Sequence, residues 1–384
     1  MMRNNVRRVV AVILACTATV MQAKKETLSV ATLNVDGLPQ KILFFDVNAT
    51  GPGATYTPLI SQYLASKNYD IIGVQEDFNF DSQLCSALND GYQHDEWSGG
   101  IANGTGGFGL GNVKYSCDGL LTFWKTNITM KATVRTNWHQ AYGKFDHCWD
   151  DMVTKSFRRY EMLLAGGTEV VVYNLHMDAS DDPDGLVDTD TEGDRAARRS
   201  QWIQLRDDII ARMDQRPVLV IGDTNSFYSS DDLEQVFIKA IEETGMATVG
   251  DVWVELALGG KYPEAQESNV ADDGTLIGWK HDKDEWLDKI LYINPTQGSK
   301  LRPLAVTLDR EGFLREDGTP LCDHYPLAAT FEVSDQTATV ISNIGDNISN
   351  AALWSPDGTR LTSPRRGITI VRNVDGSTTK VVTR

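Results

Sequence analysis

The stretch Val218-Leu219-Val220-Ile221-Gly222-Asp223-Thr224-Asn225 is a short apolar run that stops at a glycine and three polar residues. An apolar run of this length predicts a buried strand, and the side chains that follow it are held at a fixed place on the sheet edge. The same pattern recurs along the chain, with polar residues Asn34, Asp36, Gln75, Glu76, His176, Asp178, Asp288, Asp323 and His324. The sequence therefore predicts one polar site assembled from several strand ends.

The composition of this predicted site favours a metal ion. Several carboxylates at one edge repel one another unless a cation lies among them. All-oxygen ligands favour magnesium, with manganese as a substitute, and magnesium takes only one or two carboxylates and keeps several waters. Amides and histidines remain to bind substrate oxygens and to move protons. Each motif alone is weak, since Gly-Asp-x-Asn is a common turn and a lone histidine is more often structural.

The remaining pattern is that of an α/β protein with mixed sheets, since short β-rich runs alternate with helical stretches and Gly/Asn/Asp loops. Apolar residues at helical spacing predict helices over Thr57–Ser66 and Arg195–Met213. The predicted strands are Leu28–Leu33, Ile71–Gln75, Gly119–Trp124, Glu169–Leu175, Pro217–Ile221, Lys289–Ile293 and Leu327–Glu332. Residues 99–112 are glycine-rich and predict a loop, and residues 178–194 are acidic and predict a solvated loop.

The N-terminus predicts export. Arginines at positions 3, 7 and 8 precede the apolar run Val9–Val20, which is too short for a comfortable membrane span and fits a signal peptide ending at Ala23. Ile13-Leu14-Ala15-Cys16 is an imperfect lipoprotein box, so lipidation at Cys16 is one alternative and an uncleaved anchor is another. We expect a secreted or cell-surface protein, with periplasmic or lipid-anchored locations as variants.

Three regions follow from these patterns: a signal over residues 1–23, a catalytic domain over 24–332, and a small β-rich extension over 333–384. Gly367–Arg384 predicts a hairpin around Asp375-Gly376. The extension resembles the C-terminal sorting module of exported Bacteroidetes proteins, and the alternative is a plain β extension. In an oxidising compartment, one disulfide is expected among Cys85, Cys117 and Cys148.

The charge balance bears on the partner. The chain has 53 acidic and 36 basic residues, a net charge of −17. Such a protein repels polyanions, which counts against an obligate nucleic-acid binder but not against a nuclease with a local basic patch. No feature of the sequence indicates an obligate protein partner.

Six sequence blocks together resemble the signatures of the endonuclease/exonuclease/phosphatase superfamily. In chain order they are Asn34-Val35-Asp36-Gly37-Leu38, Gln75-Glu76, Asn174-Leu175-His176, Gly222-Asp223-Thr224-Asn225, Leu287-Asp288-Lys289-Ile290 and Asp323-His324-Tyr325-Pro326. The resemblance covers about residues 27–332. It implies a four-layer α/β sandwich, in which two mixed sheets pack face to face with helices outside, and a metal-dependent phosphodiesterase.

The resemblance also implies a role for each site residue. The residues it places at the metal are Glu76 as principal ligand, with Asn34, Asp36 and Asp323 close by. The residues it places in catalysis are His176, Asp223, Asn225, Asp288 and His324. His176 donates to a phosphate oxygen, and Asp288 holds His324 as base or proton shuttle. Whether Asp223 or His324 takes the proton of the attacking water is left open. Cys322 stands where the family usually has serine.

The middle of the chain resembles the secreted sphingomyelinases, through residues 115–123 and 149–157. The expected substrate is therefore a phospholipid phosphodiester. Apolar side chains at Ile42–Phe45 and the aromatics Trp138, Tyr142, Phe145 and Trp149 suggest contact with a membrane surface, the alternative being that they pack on the sheets. The alternatives for function are an exported DNase-type endonuclease and, on the same fold, a binding protein without activity.

Overall fold

The structure is a computed structural model that describes residues 25–42, 45–46, 48–99, 116–143, 150–151, 153–179, 191–228, 232–262, 287–334, 352–362, 367–372 and 378–383. One compact unit covers Lys25–Thr337, and a second contains the strands after Ala338. The predicted signal at residues 1–23 lies outside the described residues.

The first sheet has six strands in the order β13-β14-β1-β4-β6-β5. β1 and β4 run parallel, and the other neighbours run antiparallel. Its strands are β1 (Lys25–Asn34), β4 (Ile71–Gln75), β5 (Tyr92–His94), β6 (Leu121–Lys125), β13 (Lys300–Leu308) and β14 (Leu327–Ser334). A short separate hairpin, β2 (Lys41–Ile42) with β3 (Phe45–Asp46), follows β1.

The second sheet also has six strands, in the order β11-β12-β10-β9-β8-β7. Here β9 and β10 run parallel and the other neighbours antiparallel. Its strands are β7 (Thr129–Asn137), β8 (Ser156–Leu163), β9 (Glu169–His176), β10 (Val218–Asp223), β11 (Ala247–Asp251) and β12 (Asp288–Pro295). Both sheets are therefore mixed, as the sequence predicts.

The two sheets pack face to face in one hydrophobic core. Gly73 on β4 lies so close to the second sheet that a Cβ there would come within 2.7 Å of the Ile221 side chain. A buried polar bridge also joins the sheets, because Gln75 donates to Asn174 at 2.7 Å and Asn174 donates to Thr122 at 3.0 Å. A buried amide is tolerated when its hydrogen-bonding groups are satisfied, so this bridge fixes how the two sheets align.

Helices lie outside the sheets and complete the predicted four-layer sandwich. They are α1 (Gly53–Lys67), α2 (Asp81–Leu84), α3 (Glu192–Ala211), a π-helix (Asp232–Ile238), α4 (Lys239–Glu242) and α5 (Val252–Leu256). A capping box formed by Thr191 and Asp194 starts α3. No described helix has the length and hydropathy needed to span a bilayer.

The second unit holds a four-stranded sheet in the order β16-β15-β17-β18. Its strands are β15 (Ala352–Trp354), β16 (Arg360–Leu361), β17 (Gly367–Arg372) and β18 (Thr378–Thr383). β17 and β18 pair in antiparallel register from Gly367–Thr383 to Arg372–Thr378. The predicted C-terminal β appendage is confirmed. The first unit ends at Thr337 and β14 at Ser334, both beyond the expected boundary at residue 332.

Candidate active site

Strand register brings the predicted site residues to one edge of the sandwich. In the first sheet Asn34 lies beside Gln75, and Thr32 lies beside Leu327, just after the Asp323–His324 segment. In the second sheet Asp223 is in register with His176 on one side and with Asp288 on the other. Parallel strands end at the same edge and an antiparallel neighbour begins there, so strand ends far apart in sequence meet.

The backbone is strained where these side chains enter the site. Four non-glycine residues in the described ranges have positive φ, and three of them are Asp36 (50°), Glu76 (59°) and Asn225 (46°). This left-handed conformation is costly for residues other than glycine, and such strain concentrates at functional sites. Each of these residues lies one or two positions after the end of its strand, β1, β4 or β10.

Two glycines permit the close approach of these strand ends. A Cβ on Gly222, whose φ is 143°, would lie 2.1 Å from the carbonyl oxygen of Leu175. A Cβ on Gly37 would lie 2.3 Å from the carbonyl oxygen of Glu76. Both positions therefore require glycine, because larger residues would push Asp223 or Glu76 away from the rim.

His324 is held between two carboxylates. Its Nδ1 lies 2.7 Å from Asp288 Oδ2, and its Nε2 lies 3.7 Å from Asp223 Oδ2. Burial works against the charged imidazolium, yet the charge and hydrogen bond of Asp288, with Asp223, raise the pKa of His324 well above its usual value. Although burial of Asp223 opposes its charge, the nearby His324 lowers the pKa of this carboxyl group. A carboxylate on Nδ1 selects the orientation of the ring and leaves Nε2 toward the site.

His176 lies on the other side of Asp223. Its Nε2 is 3.6 Å from Asp223 Oδ2 and 3.8 Å from Glu76 Oε1, and the side chain is 1% exposed. Burial, followed by the positive charge of Lys155, lowers the pKa of His176 well below its usual value, so the ring is neutral. Within the described part of the chain neither ring nitrogen has a hydrogen-bond partner. A buried donor of this kind is expected to have a ligand atom as its partner.

Asn34 and Glu76 form the opposite half of the site. The Asn34 amide donates to Glu76 at 2.8 Å and to Asp223 at 3.1 Å, which links the two sheets. Burial and then the charge of Asp323 raise the pKa of Glu76 to about 7. Burial, Asp323 and Glu76 together raise the pKa of Asp36 to about 9. These three carboxyl groups therefore lie close enough to oppose one another's ionisation.

This donor set fits a hard divalent cation. The described residues contain no preformed group of three or more His, Cys, Asp or Glu side chains in metal-ligand geometry. Magnesium does not need one, because it takes one or two carboxylates and completes its shell with water and substrate oxygens. Glu76 keeps 20% of its side chain exposed, and Asp323 is exposed, so both carboxylates face solvent from which an ion enters. Oxygen donors that repel one another are the expected surroundings of such an ion.

Two site residues escape sequence reasoning. The side-chain amide of Asn48, from the segment after the short hairpin, donates to the Asp36 carboxylate, and no pattern around Asn48 indicates this contact. Lys155, 8% exposed, donates to the Met177 carbonyl at 3.0 Å and pairs with Asp150. Its charge counteracts the rise in the pKa of Glu76. The signal for Lys155 is a lysine directly before a strand of otherwise buried residues, which is too common to single out.

Cys322 fits the place that the family usually gives to serine. Its thiol is buried and lies 3.4 Å from the carbonyl oxygens of both Asn34 and His324. The thiol therefore tethers the segment that carries His324 to the end of β1.

Two expectations need correction. Cys85 and Cys117 are buried free thiols, so the expected disulfide does not form between them, and Cys148 lies outside the described residues. Asp178 and Asp194, the two ends of the predicted solvated loop, are fully buried. Asp194 takes part in the capping box of α3, and Asp178 accepts a hydrogen bond from the backbone N–H of Tyr142 at 2.7 Å. Both carboxylates are therefore hydrogen-bonded to protein groups instead of to water.

The predicted apolar tips are only in part described. Trp138 is buried and donates from its indole nitrogen to the His176 carbonyl at 2.7 Å, so it supports the site from inside. Tyr142 is 44% exposed. Phe145, Trp149 and the side chains at 42–45 lie outside the described residues. The expectation of an aromatic membrane contact is therefore wrong for Trp138.

Comparison with known proteins gives the family. The profile of the Endonuclease/Exonuclease/phosphatase family matches residues 31–240. This range includes the segments that carry Asn34, Glu76, His176 and Asp223, while Asp288 and His324 lie beyond it.

Sphingomyelinases of Mycobacterium tuberculosis and Mycobacterium bovis are similar over most of this chain. The identity is 27% over 311 residues, which is 81% of this chain and 54% of each relative. The chain thus spans about half the length of the curated relatives it matches.

Solved structures share the fold at lower identity. D. rerio TDP2 complexed with single-strand DNA product has a TM-score of 0.53 at 15% identity, covering 79% of this chain and 98% of that chain. An endonuclease/exonuclease/phosphatase from Bacteroides vulgatus has a TM-score of 0.51 at 15% identity, covering 80% and 99%. At such identities the likeness extends to the fold alone.

Proposed function

This chain belongs to the Endonuclease/Exonuclease/phosphatase family of hydrolases, and from that premise we propose that it is an exported, magnesium-dependent phosphodiesterase of the sphingomyelinase kind. One observation carries the mechanism: Asp223 lies between two histidines, 3.6 Å from His176 and 3.7 Å from His324, while Asn34 joins it to Glu76. Hydrolysis of a phosphodiester needs a proton acceptor, a hydrogen-bond donor to the phosphoryl oxygens and a site for a cation. This arrangement offers all three.

We assign His324 to accept the proton of the attacking water. Against the effect of burial, Asp288 and Asp223 raise the pKa of this imidazole, and a divalent cation bound beside Glu76 would lower it again and leave Nε2 free to accept the proton. Asp288 fixes its Nδ1, which leaves Nε2 for the transfer. The oxygens of Asp223 already accept hydrogen bonds, Oδ1 from the backbone N–H of Asn225 at 2.9 Å and Oδ2 from Asn34. Asp223 therefore stabilises the imidazolium that forms, as a carboxylate does when it is close to a histidine but not its proton acceptor.

His176 and Asn225 are assigned to the substrate. The neutral ring of His176 donates one N–H to a non-bridging phosphoryl oxygen, where negative charge grows during the reaction. The Asn225 side chain is tied to the Met177 carbonyl at 3.2 Å, which holds its turn beside the same position. Because both residues sit on strained or buried backbone, they are oriented before the substrate binds.

Glu76 is the residue that we expect to hold magnesium, with Asp36, Asp323 and Asn34 adjacent. When bound, the ion neutralises charge on the phosphoryl oxygens and orients the scissile bond. Asn48 and Asn34 position the Asp36 segment. The Asn48 amide donates to the Asp36 carboxylate, and the Asn34 side-chain oxygen accepts a hydrogen bond from the backbone N–H of Asp36 at 3.0 Å.

The proposed substrate is a phospholipid phosphodiester, with sphingomyelin first. Similarity to sphingomyelinases over 81% of the chain supports it. The net charge of −17 also favours a zwitterionic headgroup over a polyanion such as DNA. Export, a signal peptide over residues 1–23 and contact with a membrane surface complete the proposal, supported by the basic and apolar pattern of the N-terminus. We also propose that the unit Lys25–Thr337 is the catalytic domain and that the C-terminal extension after it is a sorting module.

The test is hydrolysis by the purified full chain of sphingomyelin vesicles, phosphatidylinositol phosphates and plasmid DNA. We expect release of phosphocholine from sphingomyelin, loss of that release in EDTA and its return with magnesium. His324→Ala is expected to abolish phosphocholine release. Asp309→Asn is expected to leave the release unchanged, because Asp309 contacts Tyr63 and Lys67 and not the site. Cleavage of DNA alone would overturn the substrate and keep the mechanism; activity that survives EDTA or His324→Ala would overturn the mechanism.

A further inference from the structure

The loop Asp223–Tyr228, here called the β10 loop, is held by two residues where β12 begins, Leu287 and Lys289. Thr224 donates its backbone N–H and its hydroxyl to the Leu287 carbonyl, at 3.1 and 2.8 Å. Lys289 donates from Nζ to the Ser226 carbonyl at 2.9 Å. Between them stands Asp288, which holds His324. One short segment thus fixes both the loop that carries Asp223 and Asn225 and the imidazole opposite it.

Lys289 is an unusual residue for such a place. It is 1% exposed, and its Nζ lies 3.9 Å from the centroid of the Tyr228 ring. Its charge also counteracts the effect of burial on the pKa of Asp251, whose carboxylate accepts from Tyr228 at 2.9 Å. Burying an ammonium is costly, and a methionine would fill a similar volume without that cost. What methionine lacks is the donor to Ser226 and the charge beside Asp251 and the aromatic ring.

We propose that Lys289 is a positioning residue that fixes the β10 loop, so that Asp223 and Asn225 keep their alignment with the two histidines. The loop-fixing part stands on the contacts of Lys289 alone. Its effect on rate rests on the proposed function, because it concerns the reaction assigned to those residues. A small displacement of an aligned group is enough to slow a reaction about a hundredfold.

The first measurement is native-state amide exchange in the wild type and in Lys289→Met. Normalised to the amides of β4, a fully buried strand of the first sheet, exchange at Thr224 and Asn225 is expected to rise at least about tenfold. Tyr173→Phe is the matched control, because it removes a hydrogen bond to Asp208 of 2.8 Å elsewhere in the sheet that carries Lys289. It is expected to lower stability and leave the normalised exchange of the loop unchanged.

The second measurement is steady-state hydrolysis of sphingomyelin at saturating magnesium. For Lys289→Met we expect kcat to fall roughly 10- to 100-fold, while KM changes less than about threefold. Asp251→Asn, added to Lys289→Met, removes the carboxylate left without its cation and keeps an acceptor for α5. The double variant is expected to recover the melting temperature of the wild type but not its kcat. If Lys289 were only structural, melting temperature and kcat would recover together.

The outcomes separate the two proposals. Normalised loop exchange that does not change in Lys289→Met overturns the positioning role, whatever the activity. Faster loop exchange with kcat within twofold of the wild type overturns its effect on catalysis. A wild type that hydrolyses no phosphodiester overturns the proposed function, while the exchange measurement still decides on Lys289. If Lys289→Met does not fold, the double variant is compared with Asp251→Asn.

Discussion

In the proposed mechanism, the contact between Asp288 and His324 orients the base. Asp288 is fully buried, and its carboxylate accepts from Nδ1 at 2.7 Å, which fixes both the tautomer and the ring plane. An asparagine of the same shape can present its N–H instead and stabilise the wrong tautomer. A substitution at Asp288 therefore tests how the base is oriented, while His324 itself stays in place.

Asp288→Asn is expected to lower kcat/KM by about 10²- to 10⁴-fold, the range of general acid–base catalysis. The measurement is the initial rate of phosphocholine release at saturating magnesium. Circular dichroism checks that the fold is kept, and Asp208→Asn, which removes a carboxylate charge on α3 that pairs with Arg212, serves as control. A loss below about threefold would mean that His324 is oriented by other groups.

In the proposed site, protons and magnesium compete for the same carboxyl groups. The pKa of Glu76 is about 7 and that of Asp36 about 9, both raised by burial first and by neighbouring carboxylates second. Below these values the groups carry protons that the ion must displace, so affinity rises with pH. At pH 6.5 we expect release of roughly one to two protons per magnesium, and fewer above pH 9.

Calorimetric titration in two buffers of different ionisation enthalpy counts those protons. Glu76→Gln is expected to remove part of the release and weaken binding. Glu161→Gln is the control, since hydrogen bonds from Arg216 and Arg159 lower the pKa of Glu161 to about 2 and leave it no proton to release. Binding that is independent of pH between 6 and 8 would contradict the placement of the ion beside Glu76.

At the scale of elements, the strand ends could be read from the sequence because they are apolar runs that stop at polar residues. The central strands β1, β4, β9 and β10 follow that rule, while the antiparallel strands β12 and β14 begin at or just after polar site residues. β7 and β8 do not follow the rule. β7 is mostly exposed, and β8 carries Arg158, which is buried because Asp95 and Asp118 pair with it from distant parts of the chain. Charges that are neutralised by remote partners have no local signature, and the same holds for the contact of Asn48 with Asp36.

Gly222→Ala tests the link between β10 and the site. The added Cβ would meet the Leu175 carbonyl at 2.1 Å, and φ is 143°. We expect unfolding free energy to fall by about 2–4 kcal/mol, from steric displacement added to the backbone cost. Gly245→Ala is the matched control, because its φ is 70° and its Cβ would meet nothing within 4 Å.

Urea unfolding and activity are measured for both glycine variants. Gly245→Ala is expected to lose about 1 kcal/mol and to keep kcat. Gly222→Ala should lose activity as well, because Asp223 follows directly. Equal losses in the two variants would mean that the close approach of β9 and β10 is not what places Asp223.

At the scale of the whole molecule, the site residues all lie within the unit Lys25–Thr337. A chain of residues 25–337 keeps β14 intact up to Ser334, whose partners are Lys25 and Lys300. It is expected to unfold in one cooperative transition and to keep kcat/KM within about twofold. A chain that ends at residue 331 removes three residues of β14 and should be less stable. Aggregation of the 25–337 chain would contradict the boundary.

A mixed α/β pattern and polar residues at strand ends could be predicted because hydrophobic periodicity is a local property, whereas the four-layer sandwich came from the resemblance of the six sequence blocks. A disulfide between Cys85 and Cys117 and solvent exposure of Asp178 and Asp194 were wrong expectations, because burial depends on partners that only the folded chain brings near. Asp194, for instance, is buried because its side chain forms a capping box with Thr191 at the start of α3.

The central claim is that segments far apart in sequence surround one hard cation at the rim beside Glu76. Anomalous diffraction from crystals of the full chain soaked in manganese tests it most directly. We expect one strong anomalous peak in contact with the Glu76 carboxylate, on the side that faces Asp36 and Asp323, and none in crystals of Glu76→Gln. A peak elsewhere on the molecule with none beside Glu76 would contradict the account.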